Sequence, residues 1–320
     1  MQRLVHIGYP KTGTTSLQYI FANHSQVSHA GKPKGQRGDN GVKDVELMRC
    51  LLGATDDEFA ARYAELSKEV QNVNVLSDEQ ITFFPHTRRP DRWNIPRKNY
   101  HRKTVCGRLD SLLSQPIFLI VVRDQLSFIK SDYIQRCKNR KMPRFRTHVQ
   151  ELLDKGAENG TSFLSYLKYD EVLKDLLQVC SSERVYVAFY TDVCSNWDGF
   201  VSDIFRLLNL NIEEALALGQ YHQLNPAGSI FWCRMGIGRL ALGHTFFRRI
   251  YNCFMNNSGL KPFINFANGL ELRYTKRQQA ELKSIFAGSN QKFKDMLDAP
   301  TEGFNVLGMA KFDTKAEGDL

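Results

Sequence analysis

Short runs rich in β-branched and aromatic residues alternate along this chain with longer stretches of helical period, and that alternation narrows the fold more than any other feature. The runs lie at 3–8 (Arg-Leu-Val-His-Ile-Gly), 73–77 (Val-Asn-Val-Leu-Ser), 117–122 (Ile-Phe-Leu-Ile-Val-Val) and 184–190 (Arg-Val-Tyr-Val-Ala-Phe-Tyr). Helical patterns fall at about 14–24, 44–52, 56–70, 100–114, 125–139, 145–156, 162–179, 196–208 and 276–297. A strand that is apolar on both faces must be covered on both, and helices between successive strands supply that cover while connecting them in parallel. The predicted class is α/β, a central parallel β-sheet flanked by helices. At 320 residues with 42% hydrophobic, roughly 75% of the unfolded surface can be buried, so a large core needs neither disulfide nor metal. We expect one domain over 1–320, its core at about 3–210 and a helical C-terminal cap at about 225–320.

Cysteines at 50, 106, 137, 180, 194, 233 and 253 are scattered, with no C-x-x-C and no tight Cys/His cluster, so neither a metal site nor a disulfide framework is indicated. Met1-Gln2-Arg3 runs directly into Leu4-Val5-His6-Ile7-Gly8, too short for a signal-peptide core, and no run of 18 apolar residues occurs. The expectation is a cytoplasmic, reducing setting. Two stretches read as loops: 28–43, with His29 and Gly31, Gly35, Gly38 and Gly41, and 85–98, with Pro85, Pro90 and Pro96 among arginines. From Ile230 onward, Trp232, Met235, Leu240, Phe246 and Phe247 mix with Arg234, Arg239, Arg248 and Arg249. That mixture reads as a packed cap, with peripheral membrane contact through about 230–255 as the alternative.

The first strand leads into Gly8-Tyr9-Pro10-Lys11-Thr12-Gly13-Thr14-Thr15-Ser16-Leu17, where a helical pattern begins. A glycine- and hydroxyl-rich turn feeding a helix start points several backbone N–H groups at one spot, where the helix dipole also favours negative charge. Such a turn suits a phosphate. Lys11 adds a mobile cation, Gly13 allows close backbone approach, and Thr14, Thr15 and Ser16 offer hydroxyls for capping or for phosphate oxygens. A nucleoside-triphosphate loop places its lysine after the last glycine, whereas here Lys11 precedes Gly13.

Residues 9–17 resemble the 5′-phosphosulfate loop of sulfotransferases that use 3′-phosphoadenosine-5′-phosphosulfate (PAPS), especially the carbohydrate and bacterial branches. A second motif accompanies it: the strand 117–122 ends in Arg123, and Ser131 and Tyr133 follow at R-x7-S-x-Y spacing. In the family this strand-Arg, helix-Ser pair holds the 3′-phosphate, and an Arg at the carboxyl end of a parallel strand lies on the ligand-binding edge of such sheets. Taken alone, Arg123 reads as a surface ion pair with Asp124 or Asp132. Asp124 stands where some relatives have proline. The resemblance covers about 3–230 in element order; it extends to Tyr169–Leu173 and 184–190 as the helix and strand that close the sheet, and to Asn225-Pro226-Ala227-Gly228-Ser229 near the nucleotide.

The resemblance implies a P-loop-like fold and sulfuryl transfer from PAPS, leaving 3′,5′-adenosine bisphosphate. Lys11, Thr12, Gly13, Thr14, Thr15 and Ser16 would hold the 5′ end, Arg123 and Ser131 the 3′-phosphate, and Lys11 would also act in catalysis. For the base, Glu79 follows the second strand in a Ser-x-Glu that relatives share. Asp78 is its nearest rival, with His29, His86 and His101 as imidazole alternatives; otherwise Glu79 is an acid at a helix N-terminus.

The net charge is +9, from 43 Lys and Arg against 34 Asp and Glu. Basic residues concentrate at 86–108 and 130–148, as a solvated face or as a cleft that draws in a polyanionic donor and an acidic glycan. No nucleic-acid motif accompanies them. The expected partner is a carbohydrate, or another hydroxyl or amine acceptor, with no metal involved and the oligomeric state open. Two rivals belong to other classes: a nucleotide kinase or NTPase with an atypical loop, and a non-catalytic protein that binds anionic glycans.

Overall fold

The computed structural model describes residues 2–31, 44–83, 101–139, 142–156, 162–220, 272–298 and 305–307. They belong to two compact units, the first of Met1–Arg123, Tyr169–Leu224 and Gln291–Leu320, the second of Asp124–Lys168 and Asn225–Asn290. The first unit carries six strands, β1 (Leu4–His6), β2 (His29–Gly31), β3 (Val75–Ser77), β4 (Ile117–Val122), β5 (Val185–Phe189) and β6 (Asn305–Leu307). All pair in parallel, in the order β2-β3-β1-β4-β5-β6. The helices are α1 (Thr14–Asn23), α2 (Asp44–Gly53), α3 (Asp56–Glu69), α4 (Gln80–Phe83), α5 (Arg102–Leu112), α6 (Gln125–Asn139), α7 (Phe145–Gly156), α8 (Tyr169–Leu177), α9 (Tyr190–Ser195), α10 (Trp197–Leu207), α11 (Ile212–Gln220) and α12 (Lys276–Asp298).

The predicted α/β class is the observed one. Every residue of β4 is buried, which is why its run shows no alternation: both faces are covered. Leu17, Ile20 and Phe21 on α1, at helical spacing, and Phe200, Val201, Ile204 and Phe205 on α10 join Leu4, Leu119 and Val121 in one core. Because β1 lies between β3 and β4, the segments leaving these three strands emerge side by side at the carboxyl edge, where open parallel sheets bind ligands.

Several expectations need correction. The stretch 28–43 does not begin as a loop: His29–Gly31 pairs with β3 as an edge strand. Three residues are too few to show a period, and Gly31 (φ 115°) lies so close to β3 that a Cβ there would meet the Ser77 carbonyl at 2.2 Å. The helix expected at 162–179 starts only at Tyr169, after a 3-10 turn at Ser165–Leu167. Tyr190 opens α9 rather than ending a strand, and α11 and β6 were not anticipated. The stretches 85–98 and 225–271 and His86 lie outside the described residues. No described helix is long and apolar enough to cross a membrane.

Part of the basic run at 86–108 is internal. Arg108, 7% exposed, donates to the carbonyls of Cys50, Leu51 and Ala54 at the end of α2 and to Asp56, and Arg102 pairs with Asp175 at 2.7 Å. A guanidinium that satisfies the last carbonyls of a helix is a clamp, not a surface charge.

In the second unit, Tyr133 meets Phe145 edge-on (5.1 Å) and donates its hydroxyl to the Pro143 carbonyl (2.6 Å), while Tyr274 packs on Phe145 at 4.9 Å. Asp124 accepts from the Ser127 N–H at 2.7 Å and so caps α6. Asp132 pairs with Arg136 on the same helix.

Candidate active site

The segment between β1 and α1 turns on two left-handed residues, Lys11 (φ 71°) and Gly13 (φ 81°). Glycine adopts this freely, whereas for lysine it costs on the order of 1 kcal/mol. Gly13, which has no side chain to cap with, is the N-cap of α1, and the first turn holds no acid. At α3, by contrast, Thr55 and Glu58 form a complete capping box. The start of α1 therefore turns its first N–H groups, with the positive end of the dipole, toward the loop.

Two of the loop's hydroxyls make bonds within the protein. Buried Thr12 donates to the Tyr9 carbonyl (2.5 Å) and tightens the turn over the Tyr9 ring, which is fully buried against Tyr169 at 5.0 Å. Thr14 donates to Glu79 Oε2 at 3.2 Å. Thr15 and Ser16 are half-buried, and the Ser16 N–H returns to the Gly13 carbonyl at 3.0 Å.

Glu79 is half-buried just past β3. Its rival Asp78 is 1% exposed, its N–H bonded to the His6 carbonyl at 3.2 Å. Arg123 donates through Nη1 to the Lys11 carbonyl at 2.9 Å, and its guanidinium lies 4.5 Å over the Tyr190 ring. The Tyr169 hydroxyl donates to the Arg123 carbonyl. So the structure brings Lys11, Gly13, Thr14, Glu79 and Arg123 to one edge, while Ser131 is a half-buried residue of α6 in the second unit.

Two residues of this edge escaped the sequence reading. A Cβ on Gly13 would stand 3.6 Å from Trp197 and 4.0 Å from Tyr190, so both rings wall the loop. Burial first, then a hydrogen bond with Cys194, hold the Tyr190 phenol above its usual range against the pull of Arg123. The available signal was position: an aromatic directly after a parallel strand faces the binding edge.

Of the imidazole alternatives, His101 is an exposed N-cap of α5 and His29 belongs to β2, ring-stacked with Phe21 at 6.3 Å. Burial pushes His29 from 6.5 to about 4, and burial likewise takes His6 to about 4, with Glu79 opposing and His29 assisting. Both rings stay neutral in the folded chain where the unfolded chain would protonate them. The unfolded state thus binds more protons between those values, and stability should fall as the pH drops from about 6.5 to about 4. Urea midpoints measured across that window check this; a flat midpoint would contradict it. Among the described residues, no three His, Cys, Asp or Glu side chains form a metal site.

A family model described as the Sulfotransferase family matches residues 4–214. The chain belongs to the sulfotransferase family. Among solved structures, a sulfotransferase from Alicyclobacillus acidocaldarius matches at 13% identity over 87% of this chain and 99% of its own, with a TM-score of 0.43. No curated protein matches the chain. As a sulfotransferase it is a transferase of sulfuryl groups, a reaction in which negative charge develops on the leaving oxygen and the acceptor loses a proton. A cation and helix-end N–H groups beside a carboxylate can serve both needs.

Proposed function

We propose that this sulfotransferase moves a sulfuryl group from PAPS to a hydroxyl or amine of a carbohydrate, releasing 3′,5′-adenosine bisphosphate. The observation that carries the reading is the bond from Arg123 to the Lys11 carbonyl. It ties the arginine after β4 to the anion-suited loop after β1, as a ligand with phosphates at both ends requires. The fit of that ligand is supported by the glycine N-cap of α1 and by the absence of acid from its first turn. In this reading Lys11, Thr12, Gly13, Thr14, Thr15 and Ser16 hold the 5′ end, Arg123 the 3′-phosphate, and Glu79 takes the acceptor's proton. The acceptor class follows the branch resemblance of the loop rather than the basic runs, since Arg102 and Arg108 are committed internally.

Calorimetry with 3′,5′-adenosine bisphosphate against ATP plus magnesium tests the donor. Tight binding of the bisphosphate alone is expected; preference for magnesium-ATP would replace this reading with a kinase. Turnover of PAPS against a panel of glycans, amines and small hydroxyl compounds tests the acceptor. Arg123→Ala should weaken the bisphosphate by about 1.5–3 kcal/mol, the range for hydrogen bonds to a charged group. Unchanged affinity would remove Arg123 from the site.

A further inference from the structure

We propose that His6 is a positioning residue, whose imidazole fixes the loop carrying Lys11 against the turn carrying Glu79. This rests on the reading of those two residues as the catalytic pair, though not on the identity of donor or acceptor. His6 ends β1 and Ser77 ends β3, directly opposite each other in the parallel register. Their side chains join there, His6 Nδ1 to Ser77 Oγ at 2.8 Å, with 1% and 0% of the residues exposed. Just beyond this link the two site segments diverge, one toward Lys11 and the other into Asp78 and Glu79.

Other bonds keep the segments together above it. The Asp78 N–H donates to the His6 carbonyl (3.2 Å), Thr82 Oγ1 donates to the Gly8 carbonyl (3.5 Å), and Thr14 Oγ1 donates to Glu79 (3.2 Å). The imidazole is the side chain at the root of this set.

Its second nitrogen is the telling feature. His6 Nε2 is buried with no hydrogen-bond partner among the described residues. A Cβ on Gly8 would stand 2.5 Å from it. A leucine or valine on the same buried strand would fill the space without the bond to Ser77. What an imidazole adds is a rigid plate bonded to Ser77 at one edge and pressed on the Gly8 backbone at the other, which sets the spacing of the segments that follow. Displacement of a reacting group by about 1 Å can cost about 10²-fold in rate.

His6→Leu fills the space without the bond, whereas His6→Asn places a polar atom near the position of Nδ1. His6→Leu should lower kcat about 10- to 100-fold, with KM within about threefold. His6→Asn should recover most of the loss. Hydrogen exchange reads the same role without substrate: amides of 8–13 and 78–82 should exchange faster in His6→Leu and not in His6→Asn. Normal kcat per folded molecule in His6→Leu, with only a lower melting temperature, would overturn the proposal in favour of plain packing. If wild type neither binds the bisphosphate nor turns over PAPS, the donor reading falls and exchange alone decides: unchanged protection in His6→Leu overturns the role of His6. Should His6→Leu fail to fold, Ser77→Ala removes the same bond while keeping the ring, and normal turnover and exchange there would overturn it equally.

Discussion

Lys11→Ala is expected to lower turnover by ~10²-fold or more and, because Lys11 also holds the 5′ end, to weaken 3′,5′-adenosine bisphosphate by about 1.5–3 kcal/mol. The magnitude follows from removing one fixed positive group from the place where leaving-group charge develops. The backbone makes this a clean test. Lys11 holds φ 71°, and alanine must adopt the same left-handed conformation, so strain is not relieved. The bond from Arg123 goes to the Lys11 carbonyl, which any side chain retains. Loop shape and its tie to β4 thus persist. Lys11→Arg keeps the charge but moves it, and should recover turnover only in part. Steady-state kinetics paired with calorimetry on the same preparations checks both numbers, and near-normal turnover in the alanine variant would count against a role for this cation at the leaving oxygen.

What could be read in the chain beforehand depended on whether the signal was local. β4 announced itself because six buried apolar residues in a row have few other uses. The loop at 8–16 was equally plain, since two glycines, a lysine and the hydroxyls of Thr12, Thr14, Thr15 and Ser16 follow directly on a strand end. β2 left no trace: it is three residues long and its pairing is with β3, more than forty residues away. Arg108 looked like one more surface cation, because nothing near it in sequence shows that its partners are carbonyls at the end of α2. Tyr190 passed as the end of a strand although its position offered a signal, whereas Trp197 passed as a helix residue because one aromatic side chain serves a core or a ligand wall and only the third dimension says which. His6 was hidden for the same reason: within Leu-Val-His-Ile it reads as a strand residue, and its bond to Ser77 appears only when β1 and β3 are laid side by side.

Glu79→Gln is the second large effect, an expected loss of about 10²- to 10⁴-fold in kcat if this carboxylate takes the acceptor's proton. Glutamine is nearly isosteric, and its amide oxygen can still accept from Thr14, so the link at 3.2 Å between loop and turn survives. Bisphosphate binding should therefore be unchanged, which separates an enzyme from a passive glycan binder: a binder would lose nothing. Asp78→Asn is the needed comparison, because Asp78 is the adjacent carboxylate but is 1% exposed and lies beneath the turn. Its replacement should act on stability more than on kcat. If Glu79→Gln retains turnover and Asp78→Asn abolishes it with the fold intact, the roles of the two acids are reversed. If both variants remain active, the base is a group outside this turn, and the exposed imidazole of His101 at the start of α5 becomes the next to test.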